Sequence, residues 1–146
     1  MFNTEYRELL ELLNQHQVEY MIIGAYALAY FGVPRSTGDI DIFVKCSEEN
    51  SRRVFKAMAA FGAPVGEIDP LYLAQYGNMF QIGVAPCRID IITQIDGVYY
   101  EDVDPLSDTI DGIKLQIISK EKFILNKMAS GRHKDLADVE ALEQGS

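Results

Sequence analysis

The feature that most constrains this fold is a short segment at residues 39–45, in which acidic and apolar side chains alternate. The order is Asp, Ile, Asp, Ile, Phe, Val, Lys. Successive side chains of a β-strand point to opposite faces, so a strand here places Asp39 and Asp41 together on one face. Ile40 and Ile42 then point to the other, buried face. Because acidic residues are uncommon in strands, the segment predicts a strand whose pair of carboxylates has a function.

A pair of carboxylates on one strand face favours a metal site. The two groups lie about 7 Å apart along the strand and repel each other, and a divalent cation between them relieves that repulsion. Such hard oxygen ligands suit Mg²⁺ or Mn²⁺. Asp90 is a third acid in an apolar run, Ile89–Ile92. If the two strands are neighbours, three carboxylates converge and can hold two metal ions of the kind that assists phosphoryl transfer. The alternative is a solvent-facing acidic strand edge.

A glycine separates the apolar run Val18–Ile23 from a short helix predicted over Ala25–Tyr30. A small residue at such a junction, here Gly24, lets backbone N–H groups approach an anion. An ordinary turn glycine is the alternative. Arg35 and Thr37, on the loop before the acidic strand, are candidates for contacts with phosphate oxygens.

Hydrophobic periodicity places helices and strands along the rest of the chain. The order of elements predicts an α/β (α+β) fold in which a central mixed β-sheet is flanked by helices. We expect one domain over residues 1–146, with C-terminal helices at about 119–143 packing on the core. The predicted elements are a helix at Glu5–His16 capped by Thr4, a helix from Ser47 to about Phe61, a short helix at Pro70–Tyr76, paired strands at Met79–Val84 and Arg88–Thr93, a strand at Ile113–Ile118 with a turn at Asp111-Gly112, and helices at about 119–129 and 134–142.

The formal net charge of −9 argues against broad binding to nucleic-acid backbones, which attract basic surfaces. The charge is unevenly distributed, because six basic residues face one acidic residue in residues 114–134. Basic helix faces explain this as well as a local anion site does. Lys127 is the leading candidate for a cation beside bound phosphate, with Arg132 and Lys134 as weaker ones. Asp135 and Asp138 are predicted to share one face of the last helix, which we expect to be solvated; a supporting role near the site is the alternative.

Nothing in the sequence indicates export or membrane insertion. Cys46 and Cys87 fit no metal-ligand spacing and no disulfide framework, which favours free thiols in a reducing compartment. The first residues lack the pattern of a signal peptide. The longest apolar run is too short to span a bilayer. We therefore expect a cytoplasmic protein.

Two other phosphate-handling folds fit the sequence poorly. A P-loop is excluded because its glycine-rich Lys-Ser/Thr pattern does not occur in the sequence. A haloacid-dehalogenase fold expects an apolar strand leading into the first aspartate, whereas Ser36-Thr37-Gly38 precedes Asp39 here.

Taken in order, the segments Ile22–Tyr26 and Pro34–Ile42 resemble the signature of the nucleotidyltransferase superfamily, which has a polymerase-β-like fold. That signature is a strand, a Gly-Gly or Gly-Ser turn, a short helix, and a second strand bearing Asp-x-Asp; Asp90 matches its third carboxylate. The tail Asn126–Asp138 resembles a small bacterial branch related to abortive-infection nucleotidyltransferase toxins. One position departs from the signature, because Ala25 stands where the family has Gly or Ser.

The resemblance implies metal-dependent transfer of a nucleoside monophosphate from a nucleoside triphosphate to an acceptor hydroxyl, with release of pyrophosphate. It implies two Mg²⁺ (or Mn²⁺) ions held by Asp39, Asp41 and Asp90, with Asp90 also helping to deprotonate the acceptor. The implied nucleotide-binding residues are Gly24, Ala25, Arg35, Thr37 and Lys127.

The resemblance leaves the acceptor and the level of activity open. Acceptor candidates are transfer RNA, a protein hydroxyl or a small hydroxylated molecule such as an aminoglycoside. A homodimer or a protein partner fits the small size of the chain. The alternative to an active enzyme is a weak or inactive binding module, or a toxin–antitoxin component, which Ala25 favours and the three carboxylates oppose.

Overall fold

The computed structural model describes residues 1–34, 38–83 and 87–145. Within these ranges, five α-helices flank one six-stranded sheet. The helices are α1 (Thr4–Gln15), α2 (Gly24–Tyr30), α3 (Glu48–Phe61), α4 (Lys120–Ser130) and α5 (His133–Gln144). The strands are β1 (Tyr20–Ile23), β2 (Ile40–Val44), β3 (Met79–Ile82), β4 (Ile89–Ile92), β5 (Leu106–Ile110) and β6 (Ile113–Ile117). Single 3₁₀ turns lie at Tyr72–Ala74 and Tyr100–Asp102.

The sheet is mixed, with the strand order β3-β4-β2-β1-β6-β5. β2 runs antiparallel to β1 and parallel to β4. β1 also pairs with β6 in parallel, and antiparallel β3 and β5 form the two edges. This architecture confirms the predicted fold class, a central mixed sheet flanked by helices.

The acidic strand lies near the middle of the sheet. In β2, Ile40 and Ile42 are fully buried, as the alternation predicts. Asp41 lies between them and is only partly buried. The isoleucine face is therefore held in the core, and the opposite face is accessible only at Asp41, since Phe43 on that same face is fully buried.

Two helices that begin near the acidic strand have polar caps. Ser47 caps α3 by accepting a hydrogen bond from the Asn50 backbone N–H, as the sequence predicts. For α1, the cap is Asn3 and not Thr4, because the Asn3 side chain accepts from the Tyr6 N–H. The predicted start was therefore off by one residue, a common error at helix ends.

β5 is an element that the sequence analysis did not predict. It pairs with β6 through a hairpin whose turn is Asp111-Gly112, and both turn residues have positive φ. Such a turn matches the right-handed twist of the two strands. The short helix predicted at Pro70–Tyr76 is a single 3₁₀ turn.

Both C-terminal helices contact the rest of the fold, α5 through Leu142 of the main hydrophobic core and α4 through several residues. Phe123 of α4 is 1% exposed and belongs to the main hydrophobic core. On the same helix, the Asn126 side chain donates to the Asp96 backbone carbonyl, and the Ser130 hydroxyl donates to the Asp96 carboxylate. Gly97 lies so close to Ala129 that a Cβ there would overlap it. These contacts fix the position of α4 relative to the sheet.

In the described part of the chain, no helix is both long and apolar enough to cross a lipid bilayer. Cys46 and Cys87 are both free thiols.

Candidate active site

The three predicted carboxylates lie on two neighbouring strands. Asp41 of β2 and Asp90 of β4 are register partners in the parallel pair. Asp39 comes immediately before β2, and its Oδ1 accepts a hydrogen bond from the Arg88 backbone N–H just before β4 (3.3 Å). The pairing of β2 with β4, which the sequence analysis left conditional, therefore brings the three acids to one place.

Asp41 carries the strongest electrostatic signal in this group. Burial of its carboxyl, a hydrogen bond with Asp90 and the nearby charges of Asp90 and Asp39 together raise its pKa to about 7, while Arg88 opposes the shift. Acids whose pKa is raised by burial and by other acids are typical of functional clusters. Asp90 is 5% exposed as a residue.

Gly24 packs directly against this acid. It begins α2 with a φ of +70°, and a Cβ added there would overlap Asp41 Oδ2 and lie 3.1 Å from Asp41 Cγ. The left-handed conformation is already costly for residues with a side chain. Glycine is thus required at this junction for two independent reasons, and the close approach of the backbone to a carboxylate is what makes it more than an ordinary turn glycine.

We expect Gly24→Ala to lower the free energy of unfolding by about 2–4 kcal/mol, because backbone strain of about 1–2 kcal/mol adds to the clash with Asp41. Gly32→Ala is the matched control, since Gly32 has a φ of +87° and nothing within 4 Å of its added Cβ. Denaturant unfolding of both variants measures the difference. Equal losses would show that Gly24 is needed only for its backbone conformation.

Arg88 is a site residue that the sequence analysis did not assign. Its Nη2 lies 3.3 Å from Asp39 Oδ2, and its Nε lies 3.1 Å from Asp90 Oδ1 and donates to Asp90 Oδ2 at 3.3 Å. A signal was present, because Arg88 is two residues before Asp90 and so points to the same face of the strand. The guanidinium is a cation placed between two of the three acids.

Tyr6 is a second unassigned residue. Its ring is fully buried, and its hydroxyl lies between the backbone carbonyls of Gly38 and Arg88, donating to either one. Burial raises the pKa of this phenol. Its ring also meets Tyr26 of α2 edge-on, with centroids 5.9 Å apart. Tyr6 therefore links α1 to the chain beside Asp39, to the start of β4 and to α2.

A cleft of about 370 Å³ opens beside the carboxylates. Its wall on the sheet side is formed by Gly24 and Ala25 at the start of α2 and by Asp39, Asp41 and Arg88. Its opposite wall comes from α4, α5 and the turn between them, and it includes Asn126, Lys127, Ser130, Arg132, Lys134 and Asp135. The basic segment noted in the sequence thus faces the acidic strand across one cleft.

Lys127 is in this cleft, but it is already paired. Its Nζ donates to Asp138 Oδ2 at 2.9 Å and lies 3.5 Å from Asp135 Oδ1. Arg132 donates to Asp135 from the other side, with Nε 2.7 Å from Oδ2. The hydrogen bond from Arg132, with help from Lys127, lowers the pKa of Asp135. Two cations therefore balance two acids.

The prediction that Asp135 and Asp138 lie on a solvated helix face is wrong. They are 1% and 0% exposed. The reason is Lys127, whose side chain is itself only 11% exposed and supplies the countercharge that burial of acids requires. The two acids do share one face of α5, and that face points inward.

Two nucleotide-binding candidates, Arg35 and Thr37, lie outside the described residues. Ala25 lines the cleft near the start of α2. It has no hydroxyl to offer, as the departure from the family signature implies.

The donor set suits a divalent cation. Asp39, Asp41 and Asp90 offer hard oxygen ligands, and the buried Asp90 Oδ1 makes no hydrogen bond. In the described ranges, however, no three acidic, histidine or cysteine side chains already surround a common point as metal ligands would. The residues thus fit a metal by chemistry and by location, while Arg88 pairs with two of the acids.

Comparison with known proteins agrees with this fold. The chain belongs to the family described as nucleotidyltransferases of unknown function (DUF6036), which matches residues 3–143. It is therefore a member of the nucleotidyltransferase superfamily, as its sequence resemblance indicated. A search of curated proteins finds no match.

Solved structures share the fold at low sequence identity. The lincosamide antibiotic adenylyltransferase LnuA, bound to lincomycin, is 17% identical with a TM-score of 0.63, over 100% of this chain and 99% of that one. The antibiotic-resistance factor ANT(2'')-Ia is 15% identical with a TM-score of 0.64, over 97% and 82%. The TM1012 protein of Thermotoga maritima is 18% identical with a TM-score of 0.61, over 99% and 94%. At these identities the likeness concerns the fold alone.

Proposed function

We propose that this protein transfers a nucleoside monophosphate from a nucleoside triphosphate to an acceptor hydroxyl, with the help of Mg²⁺ or Mn²⁺. The observation that carries this proposal is the register pairing of Asp41 with Asp90 next to a cleft that Asp39 and Asp41 line and whose far wall carries Lys127, Arg132 and Lys134. A cleft with acidic metal ligands on one wall and cationic side chains on the other suits a metal-bound triphosphate better than it suits a metal ion or a triphosphate alone.

The proposed reaction is a displacement at the α-phosphorus. The acceptor oxygen forms a bond to that phosphorus, the bond from it to the β-phosphate oxygen breaks, and pyrophosphate leaves. Divalent ions bound by the carboxylates would neutralise charge on the phosphate oxygens. Asp39 and Asp41 are proposed to hold these ions. Asp90 is proposed to share in holding one and to take the proton of the acceptor hydroxyl.

The remaining residues are proposed to position the triphosphate. Gly24 and Ala25 line the cleft at the start of α2, where their backbone N–H groups are proposed to approach the phosphates. Lys127 presents a fixed positive charge from the opposite wall, where Asp138 and Asp135 orient its Nζ. Arg35 and Thr37 keep the phosphate-binding role that the family resemblance implies.

A small hydroxylated molecule is the acceptor class to test first. LnuA is described with lincomycin bound, and ANT(2'')-Ia in complex with an adenylyl-tobramycin product. Transfer RNA and a protein hydroxyl remain the other acceptor classes. Because both of these descriptions refer to an adenylyl group, ATP is the first nucleotide to test.

One observation favours a second candidate, a binding module with weak or no turnover. Ala25 lacks the hydroxyl that a Gly-Ser turn of the family signature offers, and Arg88 pairs with two proposed metal ligands. Such a protein would bind a metal-nucleotide complex without transferring the nucleoside monophosphate. A toxin–antitoxin component could work in this way.

Isothermal titration calorimetry with each of the four triphosphates, with and without Mg²⁺, tests the proposal. We expect Mg²⁺-dependent binding of at least one triphosphate. Incubation with α-labelled ATP and a panel of hydroxylated antibiotics, transfer RNA and cell extract then separates the candidates. Label transfer supports the enzyme, and binding without transfer supports the module. If no triphosphate binds in a metal-dependent way, both the enzyme and the binding module are contradicted.

A further inference from the structure

Arg88 holds two of the three carboxylates at once. Its backbone N–H donates to Asp39 Oδ1, its Nη2 pairs with Asp39 Oδ2, and its Nε pairs with Asp90. Both oxygens of Asp39 are thus in contact with a single residue. The buried Asp90 Oδ1 lies 3.1 Å from Arg88 Nε without forming a hydrogen bond.

A guanidinium in this position competes with a divalent cation. Both are attracted by the same negative charge, and a metal needs the carboxylate oxygens that Arg88 now contacts. Like charges close together are strongly unfavourable in a partly buried site. Binding of a metal ion must therefore weaken the ion pairs that Arg88 makes with Asp39 and Asp90.

We propose that Arg88 couples metal binding to triphosphate binding. When a divalent cation takes Asp39 and Asp90, the guanidinium is released from both and is left at the wall of the cleft. There the phosphate oxygens of a nucleotide become its new partners. The site then binds a metal-triphosphate complex in preference to a bare metal. This inference rests on the proposed function.

The chemistry and anchoring of Arg88 suit such an exchange. A guanidinium presents a planar fork that pairs equally well with carboxylate and phosphate. Its backbone is fixed, because its carbonyl accepts from the Ile40 N–H at 2.9 Å and lies within reach of the Tyr6 hydroxyl. Its side chain is 38% exposed, so it can turn without unpacking the core.

The other paired cations of the cleft cannot be released in this way. Lys127 and Arg132 are held by Asp135 and Asp138 on α5, which are not among the proposed metal ligands. A metal on the β-sheet side leaves those pairs intact. Among the described cations of the cleft, Arg88 is the one whose ion-pair partners are proposed metal ligands.

Two binding measurements on Arg88→Met test the coupling, because their expected signs are opposite. Without nucleotide, the variant should bind Mn²⁺ about tenfold more tightly, since a competing cation is gone. With Mn²⁺ saturating, it should bind ATP about tenfold more weakly. Coupling between two ligands commonly amounts to about 5- to 150-fold in affinity, so effects of this size are measurable. Electron paramagnetic resonance of free Mn²⁺ and calorimetry provide the two affinities.

Matched variants separate this role from general effects of charge. Arg52→Met removes an exposed arginine of α3 that is not among the cleft residues, and should change neither affinity. Arg88→Lys keeps the charge but loses the fork, and should lie between wild type and Arg88→Met in both. In EDTA, Arg88→Met should melt below wild type, because the acids lose their counterion.

The possible failures are distinguishable. If ATP binding to the wild-type protein does not depend on Mn²⁺, the proposed function fails, and this inference fails with it. If wild type binds the complex but Arg88→Met binds bare Mn²⁺ no more tightly, or retains full affinity for ATP, Arg88 is a static ion pair and the inference alone is overturned. Should Arg88→Met not fold, Arg88→Lys with unchanged affinities overturns it equally.

Discussion

Asp41→Asn is expected to abolish nucleotide transfer and at the same time to stabilise the metal-free protein. Loss of one proposed metal ligand should lower transfer by about 10³-fold or more, which corresponds to about 4 kcal/mol of transition-state stabilisation. In EDTA at pH 8, the free energy of unfolding should rise by about 1–3 kcal/mol. The reason is that burial and the hydrogen bond and charge of Asp90 raise the pKa of Asp41 to about 7, so its ionised form is unfavourable in the fold.

The sign of the pH dependence follows from that raised pKa. An acid with a higher pKa in the folded state than in the unfolded state destabilises the fold increasingly as pH rises between the two values. The stability advantage of Asp41→Asn should therefore be largest above pH 7 and shrink as the pH falls towards 4. Asp104→Asn, at an exposed loop position, is the control and should show no such advantage. An unchanged or lowered stability of Asp41→Asn at pH 8 would contradict the electrostatic account of the site.

The strands that carry the site were predictable because their patterns are local. Alternation along residues 39–45 indicated both the strand and the face of Asp41, and the same kind of run around Asp90 indicated its partner strand. The register between them was not predictable, since it depends on how two segments separated by nearly fifty residues pair. The bridging role of Arg88 follows only from that register.

Two failures of sequence reasoning have different physical causes. β5 was missed because it is an edge strand, exposed over Leu106–Thr109, and so shows no alternation of apolar and polar residues. The burial of Asp135 and Asp138 was missed because a polar stretch of helix reads as a solvated face. Its signal lay in another helix, where Lys127 supplies the countercharge across a short turn.

Lys127→Met should be among the most destabilising single changes in this chain. It would remove the cation that lies 2.9 Å from the fully buried Asp138 and 3.5 Å from the buried Asp135. Breaking a buried ion pair by removing one partner typically costs about 3–5 kcal/mol, because an uncompensated charge remains inside the protein. Replacing the charge of Lys127 together with that of Asp138, as Lys127→Met with Asp138→Leu, should recover part of the loss. Urea unfolding followed by circular dichroism measures both.

Lys45→Met provides the matched control for this prediction. Lys45 also pairs with an acid, Glu19, at 3.6 Å, but both side chains are at least one-third exposed. Exposed pairs contribute about 0–1 kcal/mol, since water screens them. If Lys127→Met costs no more than Lys45→Met, the Lys127 network does not hold α4 and α5 together. In that case Lys127 is kept near the carboxylates for its charge alone, and its loss should appear in triphosphate affinity without any loss of stability.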